Sequence, residues 1–487
     1  MHSQSSVHTL DQQSTGTAFN ELTNLKKQNK MVNLSLEENI VNSNLEEEMS
    51  QTSKRKYDII VFGASGFTGQ FVVMEMGFFS QIYNLTWAIA GRNTNKLQNV
   101  LDKMYKTQSG IEDKKIDIIN ADLNDIKSVM KMALSTSVII NCVGPYYIYG
   151  EVVVKSCVLC STHYLDVTGE SLFMEKMAFL YNSKAEENNS LIISALGMES
   201  VPADIGVEYL YNNFNGDLKN VDIYMKLYSI SNAFPSSALI HEGTWISAIL
   251  HLSTQKQRLY YRTLLDELMG INRVNPTILK ILHKQNISIK KDKKKWCLAF
   301  PEPDQSVIVR SIHHAKTKDN LPYNFYARNY IVFGSLITAI IALLMFAILS
   351  FMVKFEPIRK LFIQFPKIFS FGIATKTGPN EKLMENGRML LTLIGYGSVS
   401  IQSETNINEI KHGVKKTIVK FKAKNPGYGF TSKAIVLAAV TILRDNVIKR
   451  GVLTPAAAFR NTQYLNRLIE YDAATIEIES EQIIYKN

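Results

Sequence analysis

A chain of 487 residues, with 54 Lys and Arg against 44 Asp and Glu, carries a formal net charge of +10. An apolar fraction of 46% and a charged fraction of 20% exclude a wholly disordered or low-complexity protein, and the length leaves room for roughly three domains and a sizeable core. Four cysteines, Cys142, Cys157, Cys160 and Cys297, are too few for a disulfide framework in so long a chain and point to a reducing compartment.

Residues 1–56 are rich in Ser, Gln, Asn, Glu and Lys and lack glycine-bounded strands, which predicts a disordered extension. No secretory apolar core occurs there, and Glu46, Glu47 and Glu48 argue against a transit peptide. The first strong pattern is Tyr57 to Phe62, an apolar, largely β-branched or aromatic run that leads into Gly63-Ala64-Ser65-Gly66-Phe67-Thr68-Gly69. Glycines let the main chain pass close to a pyrophosphate, whose charge then faces the unpaired N–H groups of a helix start. The spacing is G-x-x-G-x-x-G rather than G-x-G-x-x-G, and a glycine triplet alone is equally a tight turn. The strand before it, the helix after it and a second strand on schedule favour a dinucleotide site, with Gly63, Ser65, Gly66, Phe67, Thr68 and Gly69 as cofactor-binding candidates.

The second strand, Trp87 to Ala90, is followed by Gly91 and Arg92 about twenty residues past the glycines, where an NAD site places Asp or Glu on the ribose hydroxyls. A guanidinium at Arg92, with Lys96 one turn on, suits a 2′-phosphate instead, so NADP(H) is expected before NAD. The plain reading of Arg92 is a solvated strand end. Further strands are predicted at Ile116–Ile119, ending near Asp122, at Ser137–Val143, stopped by Gly144-Pro145, at Tyr164–Asp166 and at Leu191–Ile193, with a helix over Val152–Leu159. Strands separated by helices imply right-handed crossovers, a parallel Rossmann-like sheet over 57–206, and ligands at the carboxyl ends of its strands. Asp122, Asn141, Gly144 and Pro145 join the cofactor candidates, the last three beside the nicotinamide. Tyr146 reads either as a proton donor or as a packed loop aromatic. Asp166 and Glu170 read as orienting groups or as helix caps, and His241 with Glu242 as an acid pair or a helix N-terminus. Cys157-x-x-Cys160 with His163 lies in an apolar helical run and reads as packing, so no metal is expected.

Past Val207 the pattern lengthens and alternates at Val221–Leu227, Ser306–Ile312, Met389–Ile401 and Val414–Lys422, which predicts a mixed or antiparallel sheet over 207–330 and 374–426. Between these pieces Ile331 to Val353 runs 23 residues without a charge. As one helix it spans ~34 Å, enough for a hydrocarbon core of ~30 Å. Arg328 precedes it and Lys354, Arg359 and Lys360 follow, so charge chooses no orientation. Tyr428-Gly429-Phe430 and the apolar helix Ala434–Leu443 look built to pack on a soluble core. These features favour a one-sided hairpin over 331–373, with 427–450 completing the first domain and 451–487 as a tail. The basic clusters Lys290, Lys291, Lys293, Lys294, Lys295 and Arg359, Lys360, Lys367 read as solvated faces or as contacts to anionic lipid. No motif for nucleic acid accompanies them.

The motifs quoted resemble the saccharopine dehydrogenase-like oxidoreductases of the wider saccharopine dehydrogenase family. They are Val61 to Val72, Ala90-Gly91-Arg92, Asn141 to Tyr146, Asp166 to Glu170, Pro202-Ala203-Asp204, Gly243-Thr244-Trp245, Thr377-Gly378-Pro379 and Gly451 to Phe459, spread over about residues 57–470. The resemblance implies an α/β fold: a Rossmann-like domain closed by a C-terminal helix, plus a mixed-sheet α+β domain for substrate or homodimer contact, with the membrane-associating segment between its pieces. It also implies association with lipid droplets and, through bacterial enoyl reductases of glycolipid synthesis, a lipid-linked substrate. A mitochondrial location is the alternative. Where relatives often read Gly-Phe-Asp-Ser this chain has Gly197-Met198-Glu199-Ser200, one methylene longer at the carboxylate. No tyrosine has lysine four residues later, so the Tyr-x-x-x-Lys pair of short-chain dehydrogenases is absent. The expected function is an NADP(H)-dependent oxidoreductase at a lipid surface, with Tyr146, Asp166 and Glu170 as catalytic candidates and an enoyl or keto lipid as substrate. The alternative is a nucleotide-binding surface protein without turnover.

Overall fold

A computed structural model describes residues 55–485 apart from 109, 111–114, 232–236, 272–289, 293–294, 300–302, 403–409 and 446. The extension over 1–56 falls outside the described residues up to 54, as do Lys293 and Lys294.

Strands β1 (Tyr57–Phe62), β2 (Trp87–Gly91), β3 (Asp117–Asn120), β4 (Thr136–Asn141), β5 (His163–Asp166) and β6 (Leu191–Ile193) alternate with helices. These are α1 (Phe67–Ile82), α2 (Thr94–Thr107), α3 (Ile126–Leu134), α4 (Tyr146–Leu159), α5 (Ser171–Glu187) and α6 (Val201–Asn213). All pairings in this sheet are parallel, and β1 sits between β4 and β2, with Ile59 opposite Val138 on one side and Trp87 on the other. Both faces are covered by helices, which is why β1 and β2 are apolar along nearly their whole length, β4 through Val138, Ile139 and Ile140, and all three are buried. The strand order reverses between β1 and β4, the switch point that opens a crevice at the carboxyl ends.

The second sheet is mixed, as its alternating pattern suggested. Its central strand β7 (Asp217–Ser229) pairs antiparallel with β13 (Gly387–Gln402) and parallel with β11 (Tyr326–Phe333). Strand β14 (Ile410–Lys424) lies outside β13, and β10 (Lys295–Ala299) and β9 (Lys290–Asp292) lie outside β11. Two short strands, β8 (Ile240–His241) and β12 (Ala374–Thr375), form a separate parallel pair. Helices α7 (Glu242–Ser253) and α8 (Gln255–Met269) follow β8, and α9 (Asp304–Thr317) follows β10. Ser306–Ile312 is therefore helix α9, not a strand: Val307, Ile308, Ser311 and Ala315 form its buried stripe at helical spacing, and the short window mimicked alternation.

The charge-free run is also divided. Ile331, Val332 and Phe333 finish β11, and Ser335 then opens α10 (Leu336–Met352) with a capping box, its Oγ accepting from the Thr338 N–H at 3.2 Å. What remains is a helix of 17 residues, ~25 Å long at ~1.5 Å per residue and short of a ~30 Å hydrocarbon core. The chain turns through 118° into α11 (Glu356–Gln364), followed by α12 (Pro366–Phe369). Because β11 before α10 and β13 after α12 both pair with β7, the chain enters and leaves this segment on one sheet. That connection holds both ends of the segment on the same side of the fold. Arg328, expected as a basic flank, is instead paired with Asp222 at 2.8 Å inside the second sheet.

Helix α13 (Glu381–Asn386) precedes β13, and a π-turn, Pro426–Phe430, leads into α14 (Thr431–Arg444), whose residues from Ala434 to Thr441 are all buried. Helix α14 packs on α1 and against β4 and β5. Residues 451–487, read as a tail, supply β15 (Gly451–Leu453), which extends the first sheet beside β6, then α15 (Pro455–Phe459) and α16 (Tyr464–Glu470). They end in β16 (Ala474–Tyr485), an edge of the second sheet. The division at 206/207 falls inside α6, and one apolar core runs from Ile59 and Val138 through Leu210 and Phe214 to Leu393 and Phe421. Lys56–Asn487 pack as one unit.

Candidate active site

The glycine turn builds an anion cradle from main chain alone. Gly63, at φ +79°, donates its N–H to the Ala90 carbonyl at 2.9 Å, and the Gly66 N–H returns to the Gly63 carbonyl at 2.9 Å. A Cβ on Gly69 would lie 2.3 Å from the Gly63 oxygen, so the helix approaches the strand end as only glycine permits. Gly66 is the exposed N-cap of α1 and brings no side-chain cap, and the first turn holds no acidic residue. The opening N–H groups at Phe67, Thr68 and Gly69 thus have no side-chain acceptor, which fits a bound pyrophosphate. The ring of Phe67 has a different task. It stacks on His241 at 4.7 Å, meets Tyr428 edge-on at 4.8 Å and leaves no room for a Cβ on Gly378, which would sit 2.7 Å away. His241 caps α7, its Nδ1 accepting from the Gly243 N–H at 3.1 Å, so the His241–Glu242 pair is a helix start.

Arg92 and Lys96 stand exposed at the end of β2 and in the first turn of α2, where Asn93 Oδ1 caps the Lys96 N–H at 3.0 Å. Neither side chain has an ion-pair partner among the described residues, so both charges are available to a 2′-phosphate. Asp122 is committed to its own turn, accepting from the Asn124 main chain at 3.0 Å and from the Asn124 amide at 3.1 Å.

At the end of β4, Asn141 is buried and fully engaged: its amide donates to Tyr164 Oη at 3.1 Å and its Oδ1 accepts from the Val143 N–H at 3.0 Å. Gly144-Pro145 is a cis peptide, and Pro145 N-caps α4. Tyr146 donates its hydroxyl to the Asn141 carbonyl at 3.1 Å and packs its ring on Phe173. Glu170 accepts from the Tyr146 N–H at 3.1 Å, the Tyr147 N–H at 2.7 Å and the Ser247 hydroxyl at 2.7 Å. It caps α4 from a different element, the favourable place for an anion at a helix start. Asp166 accepts from the Thr168 N–H at 2.9 Å, the Ala195 N–H at 3.2 Å and the Ser194 hydroxyl at 2.8 Å. Burial pushes the Asp166 carboxyl up to about 6 and raises Glu170, against the pull of those donors.

The structure therefore brings Tyr146, Asp166 and Glu170 together at the carboxyl ends of β4 and β5, each with its polar atoms taken. Glu199, after β6, joins them, its carboxylate lying over Gly169. Ser194, Ser247 and Thr431 were missed in the sequence because single hydroxyls carry no spacing signal. Cys157 and Cys160 are buried, reduced cysteines at the end of α4. Among the described residues no group of three or more His, Cys, Asp or Glu is arranged to hold a metal.

Comparison with known proteins gives the family. Residues 59–193 match the model of the saccharopine dehydrogenase NADP binding domain. The chain is 35% identical over 448 residues to a saccharopine dehydrogenase-like oxidoreductase of Rattus norvegicus, covering 89% of this chain and 100% of that one. It is 32% identical over 441 residues to a lipid droplet localized protein of Caenorhabditis elegans, covering 88% and 99%. A trans-acting enoyl reductase of Mycobacterium ulcerans matches at 29% identity over 182 residues, 37% of this chain and 42% of that one. The chain belongs to the saccharopine dehydrogenase-like oxidoreductases, and its first sheet is an NADP-binding domain.

Proposed function

We propose that the protein transfers hydride between NADP(H) and a lipid-linked enoyl or keto substrate while seated on a lipid surface. The cradle from Gly63 to Gly69 holds the pyrophosphate, Arg92 and Lys96 the 2′-phosphate, and Asn141, Gly144 and Pro145 border the nicotinamide, which supplies or accepts the hydride when bound. Tyr146, Asp166 and Glu170 are positioning residues that hold the β4 and β5 loops in register.

The observation that carries the lipid reading is a single helix, α7. On one face Trp245 Nε1–H donates to the Phe362 carbonyl at 3.0 Å, and Ile249 packs with Val353 and Phe362 under an apolar platform. From the same helix Ser247 reaches Glu170 in the crevice. The platform is the outer side of α10 to α12, where Ile337 is 70%, Ile368 67% and Phe371 81% exposed. Such contiguous apolar exposure marks an interaction surface. The exposed Lys354 and Lys367 at its border suit anionic headgroups, while Lys360 pairs with Glu356 at 2.8 Å. The names of the nematode droplet protein and of the mycobacterial enoyl reductase support the same direction. Both flanks of the platform lie on one side, which fits a droplet monolayer or the cytosolic face of a membrane.

Purified protein titrated with NADPH by fluorescence, then offered enoyl and keto lipids in phospholipid-coated droplets, tests the proposal. NADPH consumption with one lipid class supports it. Tight NADPH binding without consumption across the panel favours the second reading, a nucleotide-binding surface protein, to which the fully engaged Tyr146, Asp166 and Glu170 lend weight.

A further inference from the structure

The geometry points to Glu199 as the group that exchanges a proton with the substrate, an inference that rests on the NADP(H) oxidoreductase reading above. Glu199 stands in the turn after β6, at the same carboxyl edge as Asp166 and Glu170. Its Oε2 lies 1.8 Å from where a Cβ on Gly169 would be, so glycine at that point is what admits the carboxylate. The turn is clamped: the Met198 N–H donates to Thr431 Oγ1 at 3.1 Å, whose hydroxyl donates to the Pro426 carbonyl at 3.1 Å. The Val201 N–H closes on the Gly197 carbonyl at 3.1 Å.

Among the described residues the Glu199 carboxylate has neither a hydrogen-bond donor nor a cationic partner, whereas Asp166 and Glu170 each accept from three donors. Glu199 as a residue is exposed to solvent, while the protein around its carboxyl desolvates it. Burial raises its pKa, and the neighbouring Glu170 raises it further, which keeps a proton on the group at higher pH than an ordinary glutamate would. Tyr146, the other acid of the cleft, has its proton on the Asn141 carbonyl.

NADPH, when bound, supplies the hydride; the matching proton has to come from the chain or from water. In reduction the Glu199 O–H bond breaks and its proton bonds to the α-carbon of an enoyl group, or to the oxygen of a keto group, as the hydride reaches the neighbouring carbon. The substrate gains two hydrogens, the cofactor is oxidised, and water reprotonates the carboxylate through the open side of the cleft.

Amidation by a water-soluble carbodiimide and glycinamide near neutral pH, mapped by peptide mass spectrometry, tests this without turnover. Glu199 should be modified in the free protein and protected several-fold by saturating NADPH. Asp166 and Glu170 should stay unmodified, and the surface residue Glu187 should be modified equally in both states. A second readout is thermal unfolding. A carboxyl whose folded pKa is raised contributes stability below its unfolded pKa and loses it as pH rises through the folded value. Glu199→Gln should therefore raise the midpoint by about 1–2 °C at alkaline pH and leave it unchanged near pH 4. Glu170→Gln should lower it at every pH, because the amide gives up an acceptor oxygen needed by the Tyr146 and Tyr147 N–H groups and the Ser247 hydroxyl. An unmodified Glu199, labelling that NADPH does not reduce, or a Glu199→Gln midpoint that falls as that of Glu170→Gln does, would overturn the assignment. Failure of the wild type to bind NADPH at all would instead remove the oxidoreductase reading, and this inference with it.

Discussion

Two apolar helices lie in opposite environments. Pro426–Arg444, which contains α14, is long and apolar enough to cross a membrane, yet 72% of it is buried against α1 and the first sheet. Helix α10 is more apolar and carries no charge, yet it is too short to cross, and of its residues only Ala339 is buried. Apolarity points to α10 and length to Pro426–Arg444, so neither alone separates the covered helix from the exposed one. What separates them is the protein each meets: α14 covers the sheet that holds the cofactor, whereas α10 rests on α7, β10 and β11 with its outer side open. The molecule has a cofactor half closed by one apolar helix and an exposed apolar platform made by another.

That contrast can be broken most forcibly in the core. Ala438→Arg in α14 buries an unpaired charge where the wild-type side chain is fully covered, at a cost of about 5 kcal/mol, a large share of an ordinary domain's stability. No folded protein should be recovered, as circular dichroism and gel filtration would report. A soluble, normally melting variant would show that α14 is not core. Gly66→Val comes next and should abolish NADPH binding in calorimetry without unfolding. The backbone at Gly66, φ −70° and ψ 165°, suits any residue, but the side chain would enter the pyrophosphate path. Its partition onto lipid should be unchanged; a joint loss of both would mean that the halves are not separable. The smallest effect belongs to Arg92→Ala. Loss of a charge-assisted pair worth ~1.5–3 kcal/mol should weaken NADPH roughly ten- to a hundredfold and leave NADH nearly unchanged. Equal losses for both would remove the 2′-phosphate assignment.

The cofactor half was legible because its signals are local. The strand Tyr57–Phe62, the glycine turn and Arg92 follow one another within a single βαβ unit, and parallel strands buried on both faces read as unbroken apolar runs. The second sheet was legible where strands were long, as at Val221–Leu227 and Met389–Ile401, and misread at Ser306–Ile312, where seven residues do not separate a two-residue period from a helical one. The break inside Ile331–Val353 was masked by composition: Gly334 and Ser335 are small and uncharged, and only the capping geometry shows the helix starting there. Phe67 was assigned to the cofactor through its motif, and its N–H fits that role, but its ring joins four segments distant in sequence. Glu170 as the cap of α4, and Glu199 over Gly169, depend on loops from different strands meeting, which no local pattern encodes.

Flotation with phospholipid-coated triolein droplets tests most directly the proposal that α10 faces lipid. Wild-type protein should rise with the droplets. A variant with Ile341→Arg and Leu344→Arg, both positions exposed, should stay in the aqueous layer, since each arginine costs up to ~2.5–3.5 kcal/mol at a membrane centre. It should melt as the wild type does and bind NADPH with the same affinity. Equal flotation of the variant, or a wild type that never leaves the aqueous layer, would contradict the account.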